Sequence, residues 1–554
     1  MRMRVVLVIL VFVASGRAAW GGDASAAGKL TEELPTIKCL GFRWLISGDD
    51  NRNASVSVEY RKIGVGRWLR ALDLFAVQSE GMRKETRPPT GQRLLAGSIF
   101  DLQGGTRYEV KLSLKDSDGG SVTRLVRTKT WTAPVRPIGG RRVNVKPGGL
   151  KVAIKSAKPG DTLVLAKGVY KGPFALRSGV PGKPIILTSA SGGQAILDGG
   201  GDRNVIGSTG AHDIMLHRLT FQNARWALAF NGGSRISVTR CLFRDCDYGF
   251  TAQRESAKQK HFYIADNVMI GRSKWPRSEG IESRRGVQVS GRGHVICYNR
   301  ISNFADGIDT FSNYPCAGID IYGNDISECT DDGIEMDYSE HNTRCFDNRL
   351  TNVFQGISIQ PIHGGPVYVF RNAMYNVTSE TFKMHNKPSG GIFYHNTSVK
   401  KGMPLVLWTP EAVSNCVMRN NLFIGTVGNY AYESTAPMRG CDFDYDGFGG
   451  RWKQFLKFNK ARYKTIESAR KIAPVYRNAV RVNPATLFAS GVKPPSDPKA
   501  KFDLQINDLR LKANSAAIDA GAVLPNINDG FAGKAPDLGA YELGAKAPHY
   551  GPRR

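Results

Sequence analysis

Between Asn303 and Glu340 the chain carries ten Asp or Glu residues and no Lys or Arg. This is unusual in a protein whose 76 Lys+Arg against 48 Asp+Glu give a formal net charge of +28. Several of the acids fall in a recurring phrase: Gly307-Ile308-Asp309-Thr310-Phe311, Gly333-Ile334-Glu335-Met336-Asp337, Gly356-Ile357-Ser358-Ile359-Gln360 and Thr381-Phe382-Lys383-Met384-His385. Strand alternation sends Ile308, Ile334, Ile357 and Phe382 to one face, with Met336, Ile359 and Met384 beside them. Two outward columns remain. One is Asp309, Glu335, Ser358 and Lys383, and the other is Phe311, Asp337, Gln360 and His385. Like carboxylates on neighbouring strands repel, so this stack needs a cation, a protonated carboxyl, or help from Lys383 and His385. Paired carboxyls of this kind suit general acid/base chemistry, with Glu335 working against Asp309 or Asp337. The plain alternative is a solvated acidic face, which is how the turn acids Asp331-Asp332 are read.

The elements that position these residues show in a repeat. Asn, any residue, then an apolar residue recurs at Asn267, Asn299, Asn324, Asn348, Asn372 and Asn421, with Asn396 in the same series, at spacings of 32, 25, 24, 24, 24 and 25. A unit of about 24 residues matches one coil of a parallel β-helix, whose strands stack about 4.8 Å apart around an apolar interior. Asn suits a fixed corner, because it tolerates a left-handed turn and can ladder its amide with the next coil. Gly280-Ile281-Glu282 is expected to begin the acidic ladder one coil earlier. The long coil's surplus, including Arg272, Lys274, Trp275, Arg277, Arg284 and Arg285, is expected to project beside the groove. Trp275, Phe311, Tyr338 and Trp408 offer flat faces. Leu150–Ala157 reads as an amphipathic cap, and Trp452, Leu456 and Tyr463 fall on one helical face at the far end.

Residues 30–133 differ: Val56, Val58 and Tyr60 alternate with polar residues, as do Tyr108, Val110 and Leu112, which indicates an antiparallel sandwich. With Trp44, Tyr60 and Leu102–Tyr108, this segment resembles a fibronectin type III module, which implies an interaction or spacer role. A Pro/Gly linker follows, so the front segment is expected to be dispensable for chemistry. Arg2 and Arg4 ahead of apolar Val5–Ala14 read as an export signal over residues 1–26, with a membrane anchor as the alternative. Export places nine cysteines where they could pair. The expected organisation is a signal peptide at 1–26, a sandwich at 30–133, a parallel β-helix at 140–430 and a C-terminal extension at 431–554.

Gly160–Leu165, Gly168–Tyr170, the Asn repeat and the outward acid pair together resemble secreted right-handed parallel β-helix polysaccharide-active enzymes, the chondroitinase B and alginate lyase group in particular. The resemblance spans residues 140–425 and implies a secreted or periplasmic, all-β, monomeric enzyme acting on an acidic polysaccharide. It further implies Ca2+ held by Asp309, Glu335 and Asp337 beside the substrate carboxylate, and β-elimination with Lys383 as proton acceptor. Lys383 would then need a lowered pKa, with His385 as an acid or second base. Arg284, Arg285, Trp275, Phe311 and Gln360 would contact substrate. The family's lysine soon after the acid pair is missing, since Glu340-His341-Asn342 stands there. Two other readings compete: a glycoside hydrolase using the same carboxyls, and a non-catalytic carbohydrate-binding surface protein. Nucleic acid is not expected despite the charge, because the central coils are acidic. No membrane span is expected beyond the N-terminal segment.

Overall fold

The computed structural model describes residues 22–201, 203–252, 254–278, 280, 282–310, 315–503 and 508–554. The front segment folds as two four-stranded antiparallel sheets. One contains Ala26–Glu32, Leu40–Ser47, Gln92–Ile99 and Phe75–Val77; the other contains Leu69–Arg70, Ser55–Lys62, Arg107–Lys115 and Val122–Lys129. Val56, Val58 and Tyr60 meet Tyr108, Val110 and Leu112 in one core that also buries Trp44 completely. The alternation predicts this packing.

From Arg142 onward the chain winds into a parallel β-solenoid of about 13 turns. Its strands fall into a 15-stranded and a 19-stranded sheet. Longer strands such as Asp325–Glu335 wrap two sides of a coil without interruption. The predicted register holds: Ile308 pairs with Ile334, Ile334 with Ile357 and Ile357 with Phe382. All four are fully buried in one continuous core with Met336, Ile359 and Met384. Each such side chain contributes about 1.5–3 kcal/mol relative to exposure.

The Asn corner is a hydrogen-bonded ladder. Asn267 Nδ2 donates to Asn299 Oδ1 at 2.9 Å, Asn299 to Asn324 at 3.0 Å, and Asn324 to Asn348 at 2.9 Å. It continues through Asn348, Asn372 and Asn396 to Asn421, which donates to Asp446 Oδ1 at 3.0 Å. The left-handed residue is not the ladder Asn itself but the one before it, as at Asp266, Tyr298, Gly323, Asp347, Arg371 and His395. The turn thus completes first, and the amide is then aimed inward.

Helix Leu150–Ser156 covers the first coil with Leu150, Ala153 and Ile154. At the other end the expected helical face is absent. Trp452 and Leu456 lie on the strand Gly447–Phe458, which pairs in parallel with Leu422–Ser434, and Tyr463 lies on the returning strand Ala461–Tyr463. An open strand edge with unpaired peptide groups outweighs a short helical spacing. The helix there is only Ile466–Ile472, begun by the Thr465 and Ser468 capping box. Residues 480–503 and 508–554 then run back along the solenoid, where Leu487, Phe488, Leu509 and Leu538 pack on Tyr375, Val399, Leu422 and Ile424.

The front segment is not a tethered spacer. Phe100 sets its ring 4.9 Å from both Tyr368 and Phe370 of the solenoid, and Trp131 lies 4.8 Å from His261. Ser98 donates to Asn342 Oδ1 at 2.9 Å and receives Arg344 Nη1 at 3.2 Å. Asn526 of the tail bridges Phe100 and the Tyr60 hydroxyl. The linker thus joins two parts that share a packed interface, because a polar-looking linker says nothing about the faces it joins. All nine cysteines are free thiols rather than disulfides, eight of them buried. No helix among the described residues is long and apolar enough to cross a membrane.

Candidate active site

On the outward side the register stacks Gln288, Asp309, Glu335, Ser358 and Lys383. The coil before Asp309 therefore supplies Gly286-Val287-Gln288, not the expected Gly280-Ile281-Glu282. The extra residues of the long coil precede the strand Arg285–Val289, which shifts the register by six positions. Stacked glycines let neighbouring backbones close on one another here. A Cβ on Gly307 would sit 2.6 Å from the Gly333 carbonyl oxygen.

The residue before each of these glycines forms another column, with Arg285 paired to Asp306 and Asp332 to Gln355. Arg285 Nε lies 2.7 Å from Asp306 Oδ2 and 3.2 Å from Asp309 Oδ2. Gln288 donates to that same Asp309 oxygen. Lys383 Nζ lies 2.8 Å from Asp332 Oδ2, with Asp332 wholly buried, and Arg277 Nη1 lies 3.4 Å from Asp331 Oδ1. Thus Asp306, Asp331 and Asp332, left out of the predicted site, each hold a basic partner within it. For Asp306 and Asp332 the signal was present in the sequence as a charged residue directly ahead of Gly307 and Gly333, as Arg285 stands ahead of Gly286.

Glu335 is half-buried, whereas Asp309 and Asp337 are 4% and 3% exposed. Its carboxyl is hydrogen-bonded to both of them. Asp337 Oδ1 also accepts the Ser358 hydroxyl at 2.7 Å and the Gln360 backbone N–H. Burial pushes the Glu335 carboxyl well above the usual range, and the charges of Asp309 and Asp337 push it further. Burial and Asp332 raise Asp337 to about 7, against the pull of Lys383. Burial also raises Asp309, although Arg285 and Gln288 favour its charged form. Six carboxyls (Asp306, Asp309, Asp331, Asp332, Glu335, Asp337) face three cations (Arg277, Arg285, Lys383). Burial and mutual repulsion raise Asp306, Asp309, Asp332, Glu335 and Asp337 together, so the string favours shared protons over a full set of charges.

Several expectations change. Burial works against the charge of Lys383, but Asp332 and Asp337 outweigh it and hold its pKa above the ordinary lysine range. A lysine so paired keeps its proton and is a poor base. Arg285 lies on a strand and not in the projecting loop, and its two acids occupy it. Arg284 is paired with Asp247 at 3.1 Å and Glu282 at 3.2 Å. Trp275 points its indole N–H at the Ala500 carbonyl of the tail, 3.2 Å away. Gln360 and His385 follow Asp337 on successive coils, and Gln360 Oε1 is buried without a hydrogen-bond partner among the described residues. Phe311 lies outside the described residues. The front segment adds a residue that the sequence did not suggest: Arg83 stands 3.8 Å from Glu340 and 5.9 Å from the Tyr338 ring centre, at the edge of the carboxyl string.

No family model and no curated protein matches this chain. Solved structures similar to it include the following three. A PL6 family alginate lyase, AlyGC, has a TM-score of 0.42 and 12% identity, covering 66% of this chain. This chain spans 57% of that lyase. The catalytic domain of a GH87 alpha-1,3-glucanase in complex with nigerose has a TM-score of 0.31 and 13% identity, covering 83% of this chain and 89% of its own. A polygalacturonase from Erwinia carotovora ssp. carotovora has a TM-score of 0.25 and 9% identity, covering 61% of this chain and 100% of its own. Every score is below 0.5, so the chemistry is read from the residues of the site alone.

Calcium oxygens share an ion at about 2.3–2.6 Å, so ligand atoms lie within about twice that of each other. Among the described residues the carboxylates gathered that closely are Asp306, Asp331 and Asp332. Each of these already holds Lys or Arg. The expected set of Asp309, Glu335 and Asp337 is instead tied together by hydrogen bonds and, as arranged, does not fit the ion.

Proposed function

We propose that this chain is an exported enzyme that hydrolyses a polysaccharide, with Glu335 as the proton donor. One observation carries the reading: a half-buried carboxyl hydrogen-bonded between two buried ones, with its pKa raised by burial and by their charge. Glu335 gives its proton to the glycosidic oxygen as the C–O bond breaks. Asp309 and Asp337 share hydrogen bonds with Glu335, so they stand too close to it to act from the opposite face of the sugar, and instead they orient and reload it. Water adds to the sugar carbon and releases its proton to solvent, from which the string reloads Glu335, so the enzyme is regenerated and one water is consumed. Asp337 holds the Glu335 carboxyl in line. The apolar stretch behind the export part of the proposal lies in residues outside those described.

Calcium-assisted β-elimination is the second reading, favoured by the net negative charge of the cluster. It requires Lys383 to lose its proton beside Asp332 and the three acids to rearrange around an ion. A polysaccharide screen that follows both reducing ends and the ultraviolet absorbance of unsaturated uronates separates the two. New reducing ends without absorbance, untouched by chelation, are expected. Absorbance that needs added calcium would overturn hydrolysis in favour of elimination.

A further inference from the structure

Beyond the carboxyl string the same outward face carries a second cluster. Glu380 takes the place that Asp306 and Asp332 hold on earlier coils, and it is buried. Its Oε1 accepts the backbone N–H of Trp408 at 2.8 Å, and its Oε2 lies 2.9 Å from His385 Nε2. Its own amide donates to Gln355 Oε1 at 2.7 Å. The His385 side chain is 28% exposed, and its other ring nitrogen has no protein partner among the described residues. One coil on, Leu405 and Leu407 point into the core, so alternation turns Trp408 outward, where it is 48% exposed. Its indole N–H is held at the edge by Glu433, 3.3 Å away, and Glu433 is held by Lys457 at 2.6 Å. No ring or cation packs on the indole face among the described residues. Between Asp337 and His385 sits Gln360, whose buried Oε1 accepts nothing from the described residues.

A bare indole face suits the C–H side of a sugar ring, an imidazolium beside it suits a carboxylate, and a lone amide oxygen suits a hydroxyl. We propose that Gln360, His385 and Trp408 form a subsite for an acidic sugar residue, with Glu380 as the positioning residue that sets both the imidazole and the indole. The subsite rests on the polysaccharide reading of Glu335. Asp337, Gln360, His385 and Trp408 climb one coil at a time, so Trp408 stands about 14 Å along the axis from Asp337, a reach that only an extended chain spans. The charged groups around His385 are Glu380, Lys383 and Glu411, with Lys400 behind Glu380. The Glu380 carboxylate, 2.9 Å from Nε2, keeps the imidazole protonated to higher pH than usual, so in mildly acidic solution its other ring nitrogen still carries a proton to donate to a sugar carboxylate.

The test is calorimetric titration of the full chain, carrying Glu335→Gln to stop turnover, with a tetramer of galacturonate and, as the neutral arm, a tetramer of glucose. Trp408→Ala should weaken galacturonate binding about tenfold, and Trp408→Phe should restore most of it. Glu380→Gln should move the pH at which binding is lost downward, which a purely structural defect would not do. Equal binding of both tetramers, or unchanged binding by Trp408→Ala and His385→Ala at unchanged melting temperature, overturns the subsite. The two assignments fail separately. If Glu335→Gln turns over normally while Trp408→Ala loses binding, the catalytic role falls and the subsite stands; the reverse pattern removes only the subsite.

Discussion

Two polar stacks run up this solenoid, an Asn corner with one residue per coil and a carboxyl stack with two, and both are largely buried. In the Asn corner each amide donates to the next amide and accepts from the one before, so identical groups satisfy one another and the ladder can be as long as the coil is. In the stack around Asp306, Asp309, Asp332 and Glu335 identical groups repel. A carboxylate has no proton to give, so each added coil needs an Arg, a Lys or a shared proton. The first stack costs nothing to extend and does no chemistry. The second stays short, draws in Arg285, Lys383 and Arg277, and keeps protons that a substrate can take. Complementarity separates scaffold from site here more sharply than burial does.

The comparison is tested most severely at Glu335. Glu335→Gln should lower hydrolysis by about 10²–10⁴-fold without loss of stability, because it removes the transferable proton while keeping the size of the side chain and a group that can still donate to Asp309 and Asp337. Reducing-end release and melting temperature, followed together, check this, and retained activity would assign the carboxyl stack to the scaffold. Removing residues 22–133 should abolish cooperative melting, since Tyr368, Phe370 and the buried Asp320–Arg344 pair (2.6 Å) would lose their cover. A soluble, active fragment beginning near Arg136 would restore the spacer view. Asn348→Ala should cost about 3 kcal/mol, because it strands Asn324, Asn372 and the Ile321 carbonyl in the interior. Denaturant unfolding measures it, and a loss under about 1 kcal/mol would mean that the ladder relaxes around gaps.

The smallest effect expected is one of pH. Burial raises Asp337 to about 7 and Asp446 to about 8. A carboxyl raised on folding lends its full stability below its unfolded pKa and loses it as pH rises through the folded value. Burial, partial at His217 and His363 and full at His294 and His395, lowers these four to about 3–4, and they oppose this only up to their unfolded value of 6.5. Melting temperature should therefore fall between about pH 6.5 and 8. Asp446→Asn, which turns the acid at the ladder's end into another rung, should flatten part of that slope and stabilise by on the order of 1 kcal/mol at pH 8. A melting temperature that climbs over this window, or a slope unchanged in Asp446→Asn, would place the protons elsewhere.

Much of this was legible in the residues. The period of Asn267 to Asn421 marks the coil, and alternation at Ile308, Ile334, Ile357 and Phe382 marks the interior, because both follow from spacing along one chain. Asp309, Glu335, Ser358 and Lys383 stack as that spacing requires. The errors lie where spacing is interrupted. The long coil hides which residues join the ladder, so Gln288 was missed and Glu282 was favoured. Trp452, Leu456 and Tyr463 mimic a helix until an unpaired edge claims them as strand.

Strand period and coil length thus determined which residues point out together, since both are properties of neighbours in the chain. Which of those residues is charged, paired or free was decided only in three dimensions. The lysine that could have been a base is neutralised by Asp332, 51 positions away in the chain. The arginines of the long coil are spent on Asp247, Asp306, Asp309 and Asp331, and the front segment lies against the coils it precedes. Burial, ion pairing and cover depend on what the folded chain brings within a few ångströms, and a one-dimensional pattern does not carry those distances.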